Sequence, residues 1–477
     1  MSAVGLVARD EWRLMARNRV ARIGLVLILV LTLIAIVTSW AQQRATAELR
    51  ARQQAAATQA FDAQPDRHPH RVVHYGHFIF RPLGALAAFD PGVDAFTGSS
   101  MFLEGHRQNS ANFGDVRQSS LLVRFGQLSP AFVLQALAPL LLIFLGYGVV
   151  ARESERGTLR PLILQGATTR QIALGKVAAL GLVAVAIAAP AILALVVIAG
   201  TGAAPGPVAM LAAGYLAYLL LWAIGIVLVS ALVRRRRDAL LALLAIWAVT
   251  VVLLPRIGAD VAGELHPLAN RLQTDVAIGR EMRAIGDSHD PNDPHFNAFK
   301  QRVLARYGVA RVEDLPLNYK GLVAMEGERI SASLFDAHAE ASFAAQERQN
   351  ALVRMLGLVS PTIALRSLSM AAAGTDFAGH RRFLEQAEAY RYHLIQRLNR
   401  MEAENVRYAD DVAEDADADR RRRVSSAHWR AMPPFAWRAP DSSALVDAAL
   451  PGLAMLLGWL VVAGGMLVIA ARRLGGR

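Results

Sequence analysis

Six apolar runs, separated by polar and charged stretches, form the main pattern of this chain. Each run is about as long as a helix needs to be to cross a bilayer. We therefore predict transmembrane spans at residues 23–41, 129–150, 177–199, 208–233, 239–254 and 445–471. A mean hydropathy of +0.31 with only 19% charged residues agrees with several spans. The predicted fold class is mainly α, a polytopic membrane protein with six transmembrane helices.

The first 22 residues differ from the spans, because apolar residues there recur at helical spacing opposite arginines. The apolar positions are Val4, Val7, Ala8, Trp12 and Met15. This pattern is typical of a helix that lies in the membrane interface, and Glu11 is the exception on its apolar side. We predict a cytoplasmic interfacial helix over residues 1–22. The following apolar run has no clear cleavage site, so we expect a retained anchor rather than a signal peptide.

Two long polar regions separate the spans. Residues 42–128 form a first extracytoplasmic region, with a helical start at 43–60 and short β-prone pieces at 72–75 and 78–80. Residues 255–444 form a large extracytoplasmic helical domain, with helices predicted at 263–306 (interrupted at 290–294), 326–356 and 376–412. The last two helices are joined by a short break and are expected to form an antiparallel pair.

Charge indicates the orientation in the membrane. The formal net charge is +12, and arginines cluster in residues 1–22, 152–176, 234–237 and 472–477, whereas the short connection at 200–207 has no positive charge. This is the positive-inside pattern, so we predict that both termini are cytoplasmic. The expected location is the bacterial cytoplasmic (inner) membrane, with several passes. Membrane orientation explains the arginines, so we expect no nucleic acid as a partner.

The charged segment 151–176, between the second and third spans, is the candidate functional segment. Thr168, followed three residues later by Gln171, has the form of a capping box that starts the next helix. A short amphipathic helix joined to a span at each end can be pushed by a partner protein. An ordinary interfacial loop is the alternative interpretation.

Four pieces of this segment form a pattern: Glu155, Gly157-Thr158-Leu159, Arg170 and Leu174-Gly175-Lys176. On these residues, the segment resembles the cytoplasmic coupling segment of ABC-2 type transporter permeases. Gln165-Gly166-Ala167 replaces the proline that the family usually has in the turn, and glycine can also make that turn. The residues that the resemblance assigns to ATPase coupling are Glu153, Glu155, Arg156, Gly157, Thr158, Leu159, Arg160, Arg170, Gly175 and Lys176.

Motifs in the two long polar regions resemble one ABC-2 subfamily, the DUF3526-type permeases, which are related to gliding-motility and copper-enzyme-maturation permeases. In the first region the signature comprises Tyr75, Gly76, Asp90, Pro91, Gly92, Glu104, His106, Arg107 and Asn109. In the second region it comprises residues 315–318, 360–361 and 374–376. None of these residues identifies a transported substrate.

The chain lacks the G-x-x-x-x-G-K-[ST] loop that binds ATP, since Gly175-Lys176 is followed by Val177. We therefore expect this chain to have no enzymatic activity and no cofactor. We expect ATP and Mg to bind to a separate ABC ATPase subunit. The predicted spans contain no ionisable residue in their interior, which argues against an ion-coupled carrier. Gln135 is the main polar exception, explained equally by a helix-to-helix hydrogen bond or by substrate contact.

The expected function is the permease subunit of an ABC-2 exporter, embedded in the lipid bilayer as a dimer with a second copy or a paralogue. The alternative is a mechanotransmission or assembly protein that acts on periplasmic partners without transport. A third possibility is a receptor or scaffold with no ATPase.

Histidines cluster in the first polar region at His68, His70, His74 and His77, with His106 further on. Imidazoles can bind zinc or copper. However, the spacing matches no standard zinc site, and no nearby carboxylate is an evident ligand. We therefore expect no metal site, and binding at these histidines is the weaker alternative. The chain also has no H-E-x-x-H or G-x-S-x-G motif of a protease or hydrolase.

Overall fold

A computed structural model describes residues 2–94, 96–111, 128–286, 290 and 292–474. Residues 112–127 of the first polar region, Pro291 of the predicted interruption and Arg477 lie outside the described residues. The fold is mainly helical, as predicted. The helices are α1 (Ala3–Arg17), α2 (Arg19–Asp62), α3 (Pro69–Tyr75), α4 (Pro130–Glu155), α5 (Leu159–Leu164), α6 (Thr169–Gly200), α7 (Pro205–Leu232), α8 (Arg236–Leu265), α9 (Arg271–Ile285), α10 (Pro294–Tyr307), α11 (Tyr319–Met355), α12 (Pro361–Ala373), α13 (Phe377–Asn405) and α14 (Ser442–Leu474).

Short elements complete the described chain. Single π-helical turns interrupt α4 at Val133–Leu137 and α8 at Ala248–Leu253. Strands β1 (His77–Phe80) and β2 (Ser100–Leu103) pair antiparallel, with His77 opposite Leu103. One-turn helices and 3₁₀ turns lie at Ala85–Ala88, Val312–Asp314, Leu356–Leu358, Tyr408–Asp411, Ala418–Arg421 and Ala427–Arg430.

Six of the helices within the described ranges are long and apolar enough to cross a membrane, by length and composition. They are α2, α4, α6, α7, α8 and α14. This confirms the predicted number of candidate spans and indicates a multi-pass membrane protein. Which side of the membrane each end of the bundle faces stays a prediction.

Helix α7 lies at the centre of the bundle, where it packs against α4, α6 and α14. In its most apolar window 67% of the residues are buried, against 6% for α8, which lies at the periphery. Tyr218, Ala223 and Val227 of α7 have no exposed surface. Close van der Waals packing of this kind holds membrane helices together, because lipid tails are as apolar as the side chains themselves.

Helix α2 runs far beyond the bundle. Its 44 residues correspond to about 66 Å, roughly twice the thickness of a hydrocarbon core. The distal half contacts β1, where the Gln54 side-chain oxygen accepts a hydrogen bond from the Phe80 backbone N–H at 2.9 Å. The prediction that residues 43–60 continue the first helix is confirmed.

The two polar regions share their hydrophobic cores. Phe61, Val72 and Val73 pack with Leu394 and Leu398 of α13 in one cluster. Strand β2 also contacts α13. We call this combined unit the outer domain, after the side of the membrane predicted for it, and the end of the bundle next to it the domain end. The opposite end, which carries α1, is the α1 end.

Helices α11 and α13 form the predicted antiparallel pair. The start of α11 meets the end of α13, since the Asn318 backbone N–H donates to the Ala403 oxygen at 2.8 Å. Arg381, near the start of α13, contacts Glu340 further along α11 at 2.8 Å. The bounds differ from those predicted: α11 starts at Tyr319, before residue 326, and α13 ends at Asn405, before residue 412.

The prediction of a short break between these helices is wrong, because residues 361–373 form helix α12. Its Leu365, Leu368 and Ala372 are fully buried, and it packs against α7 and α14 of the bundle. Ser360 and Gly374 are the caps of this helix. The Ser360 side chain accepts from Ile363, and Gly374 adopts φ +67°.

Candidate coupling site

The segment between α4 and α6 forms a small helical hairpin. The last turn of α4 (Ala151–Glu155) and α5 are joined at Gly157, which adopts φ +72°, and Gly166 after α5 adopts φ +95°. These left-handed conformations strain residues that have a Cβ. Gly166 thus makes the turn where the resembling family usually has proline. We call residues 151–176 the coupling segment.

The predicted capping box at the start of α6 is confirmed. The Thr168 side chain accepts from the Gln171 backbone N–H at 3.2 Å, and the Gln171 side chain accepts from the Thr168 backbone N–H at 2.9 Å. The reciprocal bonds satisfy two N–H groups that would otherwise lack partners. The cap defines where the exposed segment ends and the long helix begins.

The coupling segment has an exposed tip. Leu164 at the end of α5 is 87% exposed, whereas Leu159 at its start is buried. Exposed members of the predicted coupling set are Glu155, Arg156, Gly157, Thr158, Arg160 and Arg170. The tip therefore combines an exposed apolar side chain with exposed arginines.

The base of the segment is held by buried charges. Glu11 of α1 is 1% exposed and lies 2.5 Å from the Lys176 ammonium of α6 and 2.9 Å from the Arg152 guanidinium of α4. Glu153 lies 3.3 Å from the same ammonium group and 3.6 Å from Arg152. The Thr158 hydroxyl donates to the Glu153 carboxylate. These side chains join three helices, and we call Glu11, Arg152, Glu153 and Lys176 the base network.

Glu11 was the exception on the apolar face of α1, and sequence analysis gave it no role. A charged residue on an otherwise apolar helix face is itself a signal that a buried partner lies opposite. The partners, Arg152 and Lys176, are 141 and 165 residues away, so the pairing itself could not be predicted.

Close helix packing accompanies these charges. An added Cβ on Gly175 of α6 would lie 2.6 Å from the Val7 Cβ and 2.9 Å from the Val4 backbone oxygen of α1. Position 175 therefore accepts only glycine if α1 is to stay in place. Of the predicted coupling residues, Gly175 and Lys176 thus act in the attachment of α1 rather than at the exposed tip.

Two further contacts tie the coupling segment to the bundle. Glu155 accepts from the Arg236 backbone N–H at 3.1 Å and from its guanidinium at 3.2 Å, at the start of α8. The Ser230 hydroxyl oxygen near the end of α7 accepts from the Val150 and Ala151 N–H groups at 3.1 and 3.0 Å. The second contact satisfies backbone donors where α4 is interrupted by a turn.

A buried polar chain lies at the domain end. The Gln135 side chain of α4 donates a hydrogen bond to the Tyr215 hydroxyl at 2.7 Å. The Tyr215 hydroxyl lies 2.9 Å from the Ser369 hydroxyl of α12. Ser369 in turn donates to the Asp90 carboxylate at 2.5 Å. The helix-to-helix hydrogen bond, one of the two explanations for Gln135, is present.

Signature residues from the two polar regions meet at this place. The Thr375 hydroxyl donates to the Asp90 backbone oxygen at 3.0 Å. Gly92 adopts φ +50°, and a Cβ there would lie 2.4 Å from the Thr375 oxygen. Burial raises the pKa of Asp90, and hydrogen bonds from Ser369 and Gly92 oppose that rise. These signature positions therefore act in packing the outer domain onto the bundle.

The remaining signature residues lie within the outer domain. Gly76 adopts φ +78° below the Phe102 ring, and Asn109 donates to the Glu104 carboxylate at 2.9 Å. Arg107 lies 3.7 Å from Asp275 of α9. Of the other three members, Tyr75 is exposed, Pro91 is half-buried, and His106 lies with the histidines described next.

The structure separates the predicted histidines. His70 and His74 of α3 lie together with His106 from the turn after β2, within reach of a shared ion. His68 instead contacts Asp411 at 3.1 Å. His77 is buried on β1, with its ring 5.1 Å from that of Phe61.

The statement that no carboxylate is an evident neighbour of these histidines is wrong. Asp411 lies beside His68, and Glu402 of α13 lies 3.9 Å from His70. Both acids come from more than 300 residues further along the chain, so local spacing could not reveal them.

Comparison with known families agrees with part of this picture. Residues 271–438 match a family model described as "Domain of unknown function (DUF3526)". The match covers α9 to α13 and the polypeptide up to Arg438. It supports the resemblance of the second polar region to this group. The coupling segment lies outside the matched residues. No curated protein matches the chain significantly.

Proposed function

We propose that this chain is the permease subunit of an ABC-2 type transporter, which uses ATP hydrolysis on a separate ATPase subunit to export a substrate. The observation that carries the proposal is the exposed hairpin of the coupling segment, with buried charges at its base. An exposed apolar tip supplies a docking point, and the base network supplies a rigid connection to the membrane helices. The ATPase would dock on the cytoplasmic side, at the α1 end.

The geometry suggests how a push on α5 reaches the bundle. Leu159 anchors α5, while Leu164 at its other end is free for a partner. Glu11 binds both Arg152 and Lys176, so α1, the end of α4 and the start of α6 are held together. Displacement of the hairpin would therefore move these three helices as one unit. The Glu155 contact would pass the motion to α8.

A dimer, with a second copy or a paralogue, would place two coupling segments against two ATPase subunits. Helix α8 is a candidate part of that contact, because its most apolar window is 6% buried within one chain. Lipid would cover the apolar surface that the second subunit leaves exposed.

A second candidate function is mechanotransmission to periplasmic proteins without transport. One observation favours it: α12 packs against α7 and α14 at the domain end, and the chain from Gln135 to Asp90 fastens the outer domain there. Such a tight connection suits the transfer of force from the coupling segment to the outer domain. Both functions require the ATPase.

The chain contains no cysteine, which allows a direct test of the coupling site. Leu164→Cys would introduce the sole thiol at the hairpin tip. Leu272→Cys, on α9 at a residue 72% exposed, is a matched control in the outer domain. The native complex is purified, its subunits are identified by mass spectrometry, and each variant is treated with a short thiol–amine cross-linker.

We expect a nucleotide-hydrolysing subunit in the complex, cross-linked to Leu164→Cys and not to Leu272→Cys. In intact cells, a membrane-impermeant maleimide should label Leu272→Cys only. The proposal fails if no ATPase co-purifies, or if the reagent labels Leu164→Cys from outside. Transport and mechanotransmission are then separated by a structure of the dimer, in which a continuous cavity between the spans supports transport.

A further inference from the structure

Three histidines converge on one point of the outer domain. His70 and His74 lie four residues apart on α3, so they share a helix face, and their Nε2 atoms are 3.1 Å apart. His106 follows β2, and its ring centre lies 5.9 Å from that of His70 and 5.4 Å from that of His74. Nitrogen atoms of all three lie within 4.8 Å of one another, close enough to bind a single ion.

The backbone holds His106 in an uncommon conformation. Among the described residues it is the one non-glycine residue with positive φ, at +61°. Residues with a Cβ adopt this region at an energetic cost, and such positions cluster at functional sites. The Glu328 carboxylate accepts from the His106 backbone N–H at 2.9 Å and so helps to hold the turn.

Buried carboxylates lie behind two of the histidines. Nδ1 of His70 is 3.9 Å from Oε2 of Glu402, and Nδ1 of His106 is 3.7 Å from Oε2 of Glu328. In both rings the carboxylate lies on the Nδ1 side, so an ion would be bound through Nε2. Histidines that bind metals usually donate their second ring N–H to such a carboxylate, which orients the ring.

The carboxylate of Glu402 supports this arrangement. Its Oε2 is buried and has no hydrogen-bond partner among the described residues. A buried acceptor without a donor is costly, and an N–H on Nδ1 of His70 would supply that donor.

His68 is not part of this set. Its Nδ1 accepts from the His70 backbone N–H at 3.2 Å, and its Nε2 lies 3.1 Å from Asp411. Both ring nitrogens are therefore already used. The Asn318 side chain donates to the same carboxylate at 2.8 Å, so His68 acts in joining α3 to the one-turn helix Tyr408–Asp411 that follows α13.

We propose that His70, His74 and His106 bind one transition-metal ion of the zinc or copper type through their Nε2 atoms, with Glu402 and Glu328 orienting two of the rings. Three imidazoles with a further position open to solvent form a donor set typical of Zn²⁺ and Cu²⁺. His74 is exposed, so an ion can enter from solution. The bound ion would cross-link α3 to the turn after β2. The proposal does not depend on a transport function.

The test uses the full chain in detergent, purified with a histidine-free affinity tag and stripped with a chelator. Zn²⁺ and Cu²⁺ are titrated separately against a chromophoric chelator, and X-ray absorption reports the ligands of each bound ion. We expect one equivalent per chain, with three nitrogen ligands at about 2.0 Å. His74→Ala and His106→Gly should each weaken binding at least tenfold. Glycine at 106 keeps the positive φ, so the turn is preserved.

Two further variants sharpen the outcome. Glu402→Gln should weaken binding about 10- to 100-fold, the usual effect of removing a group that orients a ligand. His428→Ala, at an exposed histidine outside the cluster, should bind as the wild type does. Sub-stoichiometric binding by the wild type would overturn the site, as would wild-type affinity in His74→Ala and His106→Gly. A circular dichroism spectrum unchanged from wild type excludes misfolding as the cause of any loss.

Discussion

Two buried charge networks with similar chemistry lie at opposite ends of this molecule. At the α1 end, the carboxylates of Glu11 and Glu153 surround Lys176 and Arg152. In the outer domain, Arg391 of α13 lies 2.6 Å from Glu328 of α11 and 2.7 Å from Glu388. The Arg391 guanidinium also donates to the Glu104 backbone oxygen at 3.0 Å.

The surroundings of the two networks differ. Arg391 joins two long helices that also pack along their length, beside a cluster of Ile79, Leu103 and Phe383. The base network instead joins α1, α4 and α6 next to an exposed hairpin with glycine turns on both sides of α5. The same chemistry therefore joins two long helices along a packed interface in one place, and fastens the base of an exposed hairpin in the other. Geometry around a charge pair, rather than the pair itself, indicates its role.

The largest expected effect on stability is at Arg391. Arg391→Ala leaves Glu328 and Glu388 buried without their cation, and removing one partner of a buried ion pair typically costs about 3–5 kcal/mol. Thermal unfolding of the full chain in detergent measures the loss. Arg400→Ala, at an exposed arginine of the same helix, should leave the unfolding temperature unchanged. Equal unfolding temperatures in the two variants would contradict the assigned role.

A smaller loss of stability is expected at the base network. Glu11→Ala removes a carboxylate that binds two cations, but the Arg152 side chain is 22% exposed and partly solvated, so we expect about 2–3 kcal/mol. Asp10→Ala, at the exposed neighbouring position, is the matched control.

The comparison also predicts a functional difference between these two variants. Glu11→Ala should lose ATP-dependent activity of the assembled complex even at temperatures where the chain stays folded, whereas Asp10→Ala should keep it. Full activity of Glu11→Ala would mean that the base network is not needed to transmit the action of the ATPase to the bundle.

The smallest change in stability is expected at the exposed hairpin. Gly157→Trp places a residue with a side chain in a left-handed backbone conformation, at a cost of about 1–2 kcal/mol. The added Cβ would meet no atom within 4 Å, so no steric clash adds to that cost. Glu155→Arg removes the exposed contact to Arg236, worth under about 1 kcal/mol. Both variants should insert into the membrane normally and yet lose ATP-dependent activity, measured in the reconstituted complex.

Conservative changes at the same two positions are the controls. Gly157→Asn tolerates the left-handed conformation, and Glu155→Gln keeps an acceptor for the Arg236 N–H. Both should retain activity. If Gly157→Trp and Glu155→Arg also retain it, and the ATPase still co-purifies, the hairpin is not the coupling site.

Local sequence features predicted much of the bundle. The six apolar helices, the extension of α2 and the capping box at Thr168 follow from runs and spacings within a few tens of residues. Helix α12 could not be predicted from local features, because Ser360-Pro361 and Gly374 can mark either the ends of a helix or a break between helices. Its position between α7 and α14 depends on packing with helices more than 100 residues away in one direction and about 70 in the other.

The amino-acid sequence by itself determined which segments are helical and apolar, since hydrophobic run length and end caps depend on neighbouring residues. Only the tertiary structure decided which polar groups meet: Glu11 with Lys176, Asp90 with Ser369, and His106 with His70. These pairings join residues that are distant along the chain. The physical reason is that a charge or imidazole carries no local mark of its partner, and its partner is selected by how the long helices pack.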